Sequence, residues 1–447
     1  MHVETPPRFQ DLVDKLSNAN ANRLIELIRE PAGESGGAYL HWDKLRRLDA
    51  PGDLTHEEWW FTLKWARNQN LRALSLADAD GDSFTYSQPD PVLRLLRHVD
   101  QRCSGEIVMP EVVSSDDQAR HHYLVNSLME EAIRSSQLEG ATTSRRVAKE
   151  LLRSGREPKD RSERMILNNY HALRHMRDVG PKLDPKTVLE LHRILTVGTL
   201  DDPADAGRLQ TPKDDRVAVF DRDSQQLLHK PPPAEQLPER LKALCDFASE
   251  PDDSEPFIHP AVRAILLHFW LAYDHPFEDG NGRTARALFY WYMRTRGYWL
   301  VDYLTVSRIL ANAPAQYAKA FLLTETDERD TTYFILYQLQ VIERAVAALH
   351  RYLGKKAKEI RDVEQLIRAG SAEFNHRQLA LLSHALRNPD RIYTFLTHSA
   401  SHTVTHETAR NDILPLVDKG LFERHRVGRR HSFTPHQRLA DRLKKAH

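Results

Sequence analysis

The run His275-Pro276-Phe277-Glu278-Asp279-Gly280-Asn281-Gly282-Arg283-Thr284-Ala285-Arg286 gathers an imidazole, a carboxylate, a glycine turn and two guanidinium groups in one short segment. Gly280-Asn281-Gly282 permits positive φ and close approach of a ligand to the backbone. An apolar stretch, Ala285 to Met293, predicts a helix that opens directly out of that turn. Backbone N–H groups and the positive end of the helix dipole then converge on the turn, which makes an anion site. Arg283 and Arg286 stand three apart, on one face of the first helical turn. Two guanidinium groups beside such donors suit a chain of phosphates better than a single carboxylate. Asp279 adjoins the cradle, and a carboxylate beside phosphates is a usual way to hold Mg²⁺. His275, four residues before Asp279, titrates near neutrality and can take a proton from an attacking hydroxyl. Pro276 and Phe277 pin the loop to the core, with Phe277 as its buried anchor.

Positioning these groups requires a helical framework. Periodicity predicts helices over 161–178, 184–197, 235–249, 259–273, 283–296, 313–325 and 331–351. Ser114-Ser115-Asp116-Asp117 reads as the cap of a helix running to about Glu139. One segment alternates instead: Val217–Phe220 and Gln226–His229 flank a turn and predict a β-hairpin, closed by Pro231-Pro232-Pro233. Upstream, residues 1–105 form a helical N-terminal region. Leu12, Leu16, Leu24 and Leu27 mark helical turns, and Glu57–Arg67 reads as a tryptophan-rich helix with Trp59, Trp60 and Trp65 in the core. Asp78–Asp82 reads as a hairpin turn, because the downstream glutamate of a calcium loop is missing. Residues 106–351 are then the catalytic region, 352–370 a charged helical connector, and 371–447 a small basic module. That module holds thirteen Lys/Arg against seven Asp/Glu. Its helix after Thr403, with Val404, Ile413, Leu414 and Val417 as apolar positions, is closed by Gly420. A basic hairpin at 424–433 follows, in the order of a winged helix-turn-helix.

Composition bounds the function. The 447 residues carry 63 Lys/Arg and 63 Asp/Glu, so a wholly basic nucleic-acid coat is excluded while a local basic patch is not. Two cysteines, Cys103 and Cys245, make no disulfide framework and are expected as free buried thiols. The N-terminal residues lack a basic stretch followed by an apolar one, so no secretory signal is expected. The longest apolar run, Ala264–Tyr273, is short and interrupted by His268, so no membrane span is expected. Together these features predict a cytoplasmic multi-domain protein.

His275 to Arg286 resembles the Fic motif, His-x-Phe-x-Asp/Glu-Gly-Asn-Gly-Arg-x-x-Arg, at every defined position. The resemblance extends over most of 110–350 and implies a mainly α fold: an all-helical Fic core with a β-hairpin flap. It implies transfer of AMP from ATP to a Ser, Thr or Tyr hydroxyl of a protein, itself among the targets, with release of pyrophosphate. His275 would be the general base, and Asp279 would hold Mg²⁺ on the phosphates. Gly280, Asn281 and Gly282 would line the anion hole, and Arg283 and Arg286 would grip the distal phosphates. The intact Gly-Asn-Gly-Arg stretch favours nucleotidyl transfer over the phosphorylation carried out by Doc-like kinases.

Ser135-Ser136-Gln137-Leu138-Glu139-Gly140 resembles the family's inhibitory motif, Ser/Thr-x-x-x-Glu-Gly/Asn. That resemblance implies that Glu139 pairs with Arg286 and denies it to the γ-phosphate. Relatives also use this glutamate in removing AMP, which the resemblance admits here. Hairpin 217–229 resembles the flap on which target proteins dock, and Tyr317 falls where relatives contact adenine. His192, His259 and His268 read as satisfied core histidines without zinc spacing. A rival reading is a nucleotide-sensing transcriptional regulator that binds DNA through 403–433. There Arg424, Arg426, Arg429 and Arg430 would meet phosphates, and Thr405, His406 and Arg410 would face bases. Dimerisation or protein docking is the alternative use of this module, and a homodimer is among the partners the reading admits.

Overall fold

A computed structural model describes residues 3–31, 38–104, 117–216, 219–220, 227–251, 253–369, 373–389, 391–427 and 430–445. Its elements run α1 (Phe9–Arg29), α2 (Trp42–Leu45), α3 (His56–Asn68), β1 (Arg72–Ala77), β2 (Ser83–Tyr86), α4 (Asp90–Val99), α5 (Asp117–Leu138), α6 (Arg145–Ser154), α7 (Arg161–Asp178) and α8 (Pro185–Thr196). Next come β3 (Val219–Phe220), β4 (Leu227–His229), α9 (Leu237–Ser249), α10 (Pro260–Asp274), α11 (Asn281–Thr295), α12 (Val306–Asn312), α13 (Pro314–Thr326) and α14 (Thr332–Ala369). The chain ends with α15 (His376–Arg387), α16 (Phe395–His402), α17 (His406–Asp418), β5 (Phe422–Val427), β6 (Arg430–Pro435) and α18 (Leu439–Lys445). The fold is mainly helical, and its strands pair as antiparallel hairpins β1–β2, β3–β4 and β5–β6. Among the described residues no helix is long and apolar enough to cross a membrane.

Two compact units emerge: Met1–Ile107 with Leu124–Ala347, and Val108–Tyr123 with Ala348–His447. At the centre of the first unit lie α10 and α11. Nearly every residue of α10 from Ala261 to Asp274 is buried, so this helix has no polar face, as expected of one enclosed by others. α3 starts with a full capping box, Thr55 with Glu58, and sends Trp59 and Trp60 into a cluster with Leu12, Leu27 and Leu45. Trp65 packs against the edge of that cluster. Asp78–Asp82 is the expected hairpin turn: Asp78 N–H donates to Asp82 O at 2.9 Å, and Gly81 supplies φ 94°. Cys103 and Cys245 are free and buried.

Three differences from the sequence expectations have physical reasons. The helix expected over 313–325 is present as α13, opened by Pro314 because proline suits a helix start, but a further short helix, α12, precedes it and stops at that proline. The helix expected to stop at 351 continues through Gly354 to Ala369 as one 38-residue helix. A single glycine costs a helix only about 1 kcal/mol and does not end it. The basic module has a further helix before the expected pair and another after the hairpin. Leu381, Leu382, Ile413, Leu416, Phe422 and Phe433 form its core, with Leu414 and Val417 packed against them. Tyr393 pairs with Phe433 through two 2.8 Å backbone bonds, which add a short third strand position to β5–β6. Gly420 closes α17 at φ 67°, with Leu421 N–H donating to Leu416 O at 2.9 Å. Ser114, Ser115 and Asp116 of the expected cap, 217–218 and 221–226 of the hairpin, and Arg429 of the wing lie outside the described residues. So do the side chains of Arg426 and Arg430.

Candidate active site

α10 runs out at Asp274, and His275 turns the chain away in the left-handed region, φ 46° and ψ 54°. A histidine there is uncommon and needs support from its surroundings. Arg216 provides it. Its Nη1 donates to His275 O at 3.1 Å, its Nη2 to Asp274 O at 2.8 Å, and its Nε to Pro232 O at 2.9 Å. Below it, the buried Asp274 carboxylate accepts from Arg240 at 2.8 and 2.6 Å and from Trp270 Nε1 at 3.0 Å. Sequence reasoning missed Arg216 and Gln210. Gln210 N–H donates to Pro276 O at 2.9 Å, and its Nε2 to Glu278 at 2.9 Å. Neither residue belongs to a pattern that one sequence reveals.

The loop that follows is stapled from inside. Phe277 is fully buried and stacks on His192 with ring centroids 3.7 Å apart and planes 6° from parallel. Asn281 Oδ1 accepts from Phe277 N–H at 3.0 Å, and its Nδ2 donates to Phe277 O at 2.7 Å. The Asn281 side chain therefore faces back into the loop. Its second amide hydrogen points to His275 Nδ1 at 3.3 Å, a contact too long to pin the ring tautomer. His192, expected as a core histidine, also holds the motif. Its Nδ1 accepts from Gly207 N–H at 3.0 Å, so the proton sits on Nε2, which donates to Asp279 O at 2.8 Å. Burial lowers His192 to about 4 and keeps it neutral for this task. Gly280 needs its lack of a side chain twice. Its φ is 85°, and a Cβ would stand 2.8 Å from Thr196 Cγ2. Replacing Phe277 with alanine is expected to cost about 3–5 kcal/mol, read as an earlier first transition in urea, because this ring fills a closed space between α8 and the loop.

The N-terminus of α11 now faces the site. Gly280 caps it without a side chain, so the N–H groups of Asn281, Gly282 and Arg283 have no partner among the described residues. The two arginines, expected side by side on phosphates, have different partners. Arg283 is fully buried, donates from Nη1 to Leu195 O at 3.1 Å and from Nη2 to Asp279 Oδ2 at 3.2 Å. Arg286 donates from Nε to Ser135 Oγ at 2.9 Å and from Nη2 to Ser135 O at 3.1 Å. Glu139 Oε1 lies 2.8 Å from Arg286 Nη2. Arg286 Nη1 is buried with no partner among the described residues. Glu139 owes its position to the end of α5. Ala141 N–H donates to Ser136 O at 3.0 Å and Gly140 N–H to Gln137 O at 3.1 Å, with Gly140 at φ 100°. These are the paired bonds of a Schellman motif, which throws the residue before the glycine outward from the helix end. Glu139 lands on Gly282, where a Cβ would meet Glu139 Oε1 at 2.2 Å. Ser135, Glu139, Gly140, Gly282 and Arg286 thus come together.

Tyr317 is half-buried on α13. Its hydroxyl lies 2.7 Å from His268 Nε2, and its ring touches Phe321 and Phe334. His259 sits elsewhere, 3.1 Å from Asp100. Burial, followed by the positive charges of His229 and Arg216, lowers His275 to about 4, so the imidazole is neutral at physiological pH. The described residues contain no group of three or more His, Cys, Asp or Glu that would cage a metal. Asp279 fits a magnesium ion only as a lone carboxylate, 35% exposed, alongside phosphate oxygens brought by a nucleotide.

The chain matches the Fic/DOC family over residues 182–293. It is 37% identical over 101 residues to the protein adenylyltransferase Fic of Nematostella vectensis, across 23% of this chain and 20% of that protein. With the protein adenylyltransferase fic-1 of Caenorhabditis elegans it shares 32% identity over 167 residues, across 37% of this chain and 28% of that one. The matched part thus spans less than a third of either relative's length. In fold it resembles the crystal structure of a Fic family protein from Desulfovibrio desulfuricans G20, with a TM-score of 0.51 and 18% identity over 78% of this chain and 96% of that one. The motif loop, the helix it opens and helices α8, α9 and α10 that pack around them all lie in the stretch that matches the Fic/DOC family, and this chain carries a Fic domain there.

Proposed function

We propose that this protein is an adenylyltransferase that moves AMP from ATP to a protein hydroxyl and is held in check by Glu139. The observation that carries the reading is an imidazole, His275, beside Asn281 at the start of an uncapped helix that also presents Arg286. In the proposed reaction the hydroxyl oxygen attacks the α-phosphorus and its proton passes to His275. The new O–P bond forms as the α–β bridging P–O bond breaks, and pyrophosphate leaves. Asn281, Gly282 and Arg283 would donate N–H groups to the phosphates, and Asp279 would hold the Mg²⁺ that neutralises their charge. Arg286 would take the γ-phosphate once Glu139 gives it up. Arg283 ties Asp279 to α8 and acts as a positioning residue in this resting arrangement. Tyr317 would wall the adenine. Two free buried thiols support the cytoplasmic placement. The test uses two forms of radiolabelled ATP: label on the α-phosphate is expected to enter protein and label on the γ-phosphate is not. Incorporation of γ-label alone would make the enzyme a kinase.

A second reading concerns the basic module. Thr405, His406 and Arg410 are exposed at the start of α17, the helix that a winged helix-turn-helix sets into a major groove. The full chain is expected to shift duplex DNA in a gel, with affinity falling steeply between low and moderate salt. No shift at low salt would leave this module to dimerisation or protein docking.

A further inference from the structure

His229 ends β4 and is the last residue of the hairpin before the proline run. Its side chain is only 9% exposed. Both ring nitrogens face acceptors: Nδ1 lies 2.8 Å from Glu325 Oε2 on α13, and Nε2 lies 2.7 Å from Tyr273 O at the end of α10. A neutral imidazole carries one N–H, so it can satisfy only one of these and must turn a lone pair on the other. An imidazolium satisfies both. The ring also leans on Tyr273, with centroids 4.6 Å apart.

We propose that His229 is a positioning residue of the transfer reaction, a doubly donating imidazolium that fastens strand β4 to α13 and to the end of α10, two residues before His275. The role in transfer rests on the reading given under Proposed function; the latch itself does not. Val219 is paired with His229, so fixing one strand fixes the register of the other. Loss of the ring proton breaks one of the two bonds and leaves β4 tied on one side.

The charged neighbours give the direction of the pH response. Burial alone would favour the neutral ring, but the Glu325 carboxylate, the Tyr273 carbonyl and the negative Asp274 outweigh it and raise His229 above its ordinary value. His275 lies close enough for the charge of His229 to reach it, and Asp274 itself is held by Arg240. Because the folded-state value is raised, the latch contributes in full below the ordinary histidine range and is lost as pH rises through the raised value.

The experiment follows ring resonances of the full-length protein labelled on histidine, with His229 assigned by its loss in His229→Gln. Amide exchange of the hairpin and α-phosphate labelling in the Glu139→Gly background are measured across pH 6 to 9. His229 is expected to be doubly protonated at pH 7. Hairpin protection and labelling are both expected to fall as it deprotonates. Glu325→Gln is expected to move all three transitions down by about one pH unit or more, since it removes the opposing charge. At a pH above both transitions, that corresponds to about a tenfold drop in labelling. A His229 ring that is neutral at pH 7 overturns the latch. A labelling profile that Glu325→Gln leaves in place overturns the positioning role. If no labelling occurs at any pH, the transfer reading fails and the positioning role fails with it, while the resonance and exchange measurements still decide the latch.

Discussion

The Glu139→Gly protein is expected to incorporate label from the α-phosphate of ATP on the order of 10- to 100-fold faster than the parent chain. Glu139 donates no proton and fills no core; its carboxylate contacts the Arg286 guanidinium at 2.8 Å and lies over Gly282. A hydrogen bond between charged groups contributes roughly 1.5–3 kcal/mol, and each 1.4 kcal/mol is about a factor of ten. That sets the scale of what the γ-phosphate must displace. The fold is expected to survive, because Arg286 keeps its two bonds to Ser135 and Glu139 is 28% exposed to water. Glu139→Gln, which keeps size and loses charge, is expected to fall between the two. Equal labelling by all three proteins would remove the inhibitory role.

Removing the imidazole is expected to have the larger effect. In the Glu139→Gly background, loss of His275 should lower kcat by about 10²–10⁴-fold, the usual contribution of a positioned general base. Asparagine is the better replacement than alanine, since residue 275 sits at φ 46° and asparagine tolerates that region. The parent His275 also predicts a pH profile. Its value is lowered to about 4, so the base-competent neutral form predominates above that pH. The acid limb of kcat/KM for the free enzyme should therefore fall near pH 4, with no limb from this residue near 6.5. Retained activity in His275→Asn would show that the proton goes elsewhere.

Much of this site was legible in the sequence because its chemistry is local. Twelve consecutive residues carry the turn, the helix start, the imidazole and both arginines, and Ser135–Gly140 carries the contact to Arg286. The helices were legible for a similar reason: an apolar period is written along each one. Long-range supports were not. Arg216 is a loop residue whose donors meet Asp274, His275 and Pro232 only after folding. His192 read as a core residue, and its two bonds to Gly207 and Asp279 depend on how α8 lies against the loop. The divided fate of Arg283 and Arg286 was equally hidden. Helical spacing put both on one face, while the carbonyl of Leu195 and the hydroxyl of Ser135 drew them to different neighbours.

The proposed transfer needs one triphosphate, one helix end and one imidazole brought together. A crystal structure of the Glu139→Gly protein with magnesium and a non-hydrolysable ATP analogue tests it most directly. Phosphate oxygens are expected on the N–H groups of Asn281, Gly282 and Arg283, a γ-phosphate on Arg286 where Glu139 had been, and His275 facing the α-phosphorus with room for a hydroxyl between them. A nucleotide bound away from the glycine turn, or an imidazole turned from the α-phosphate, would contradict it.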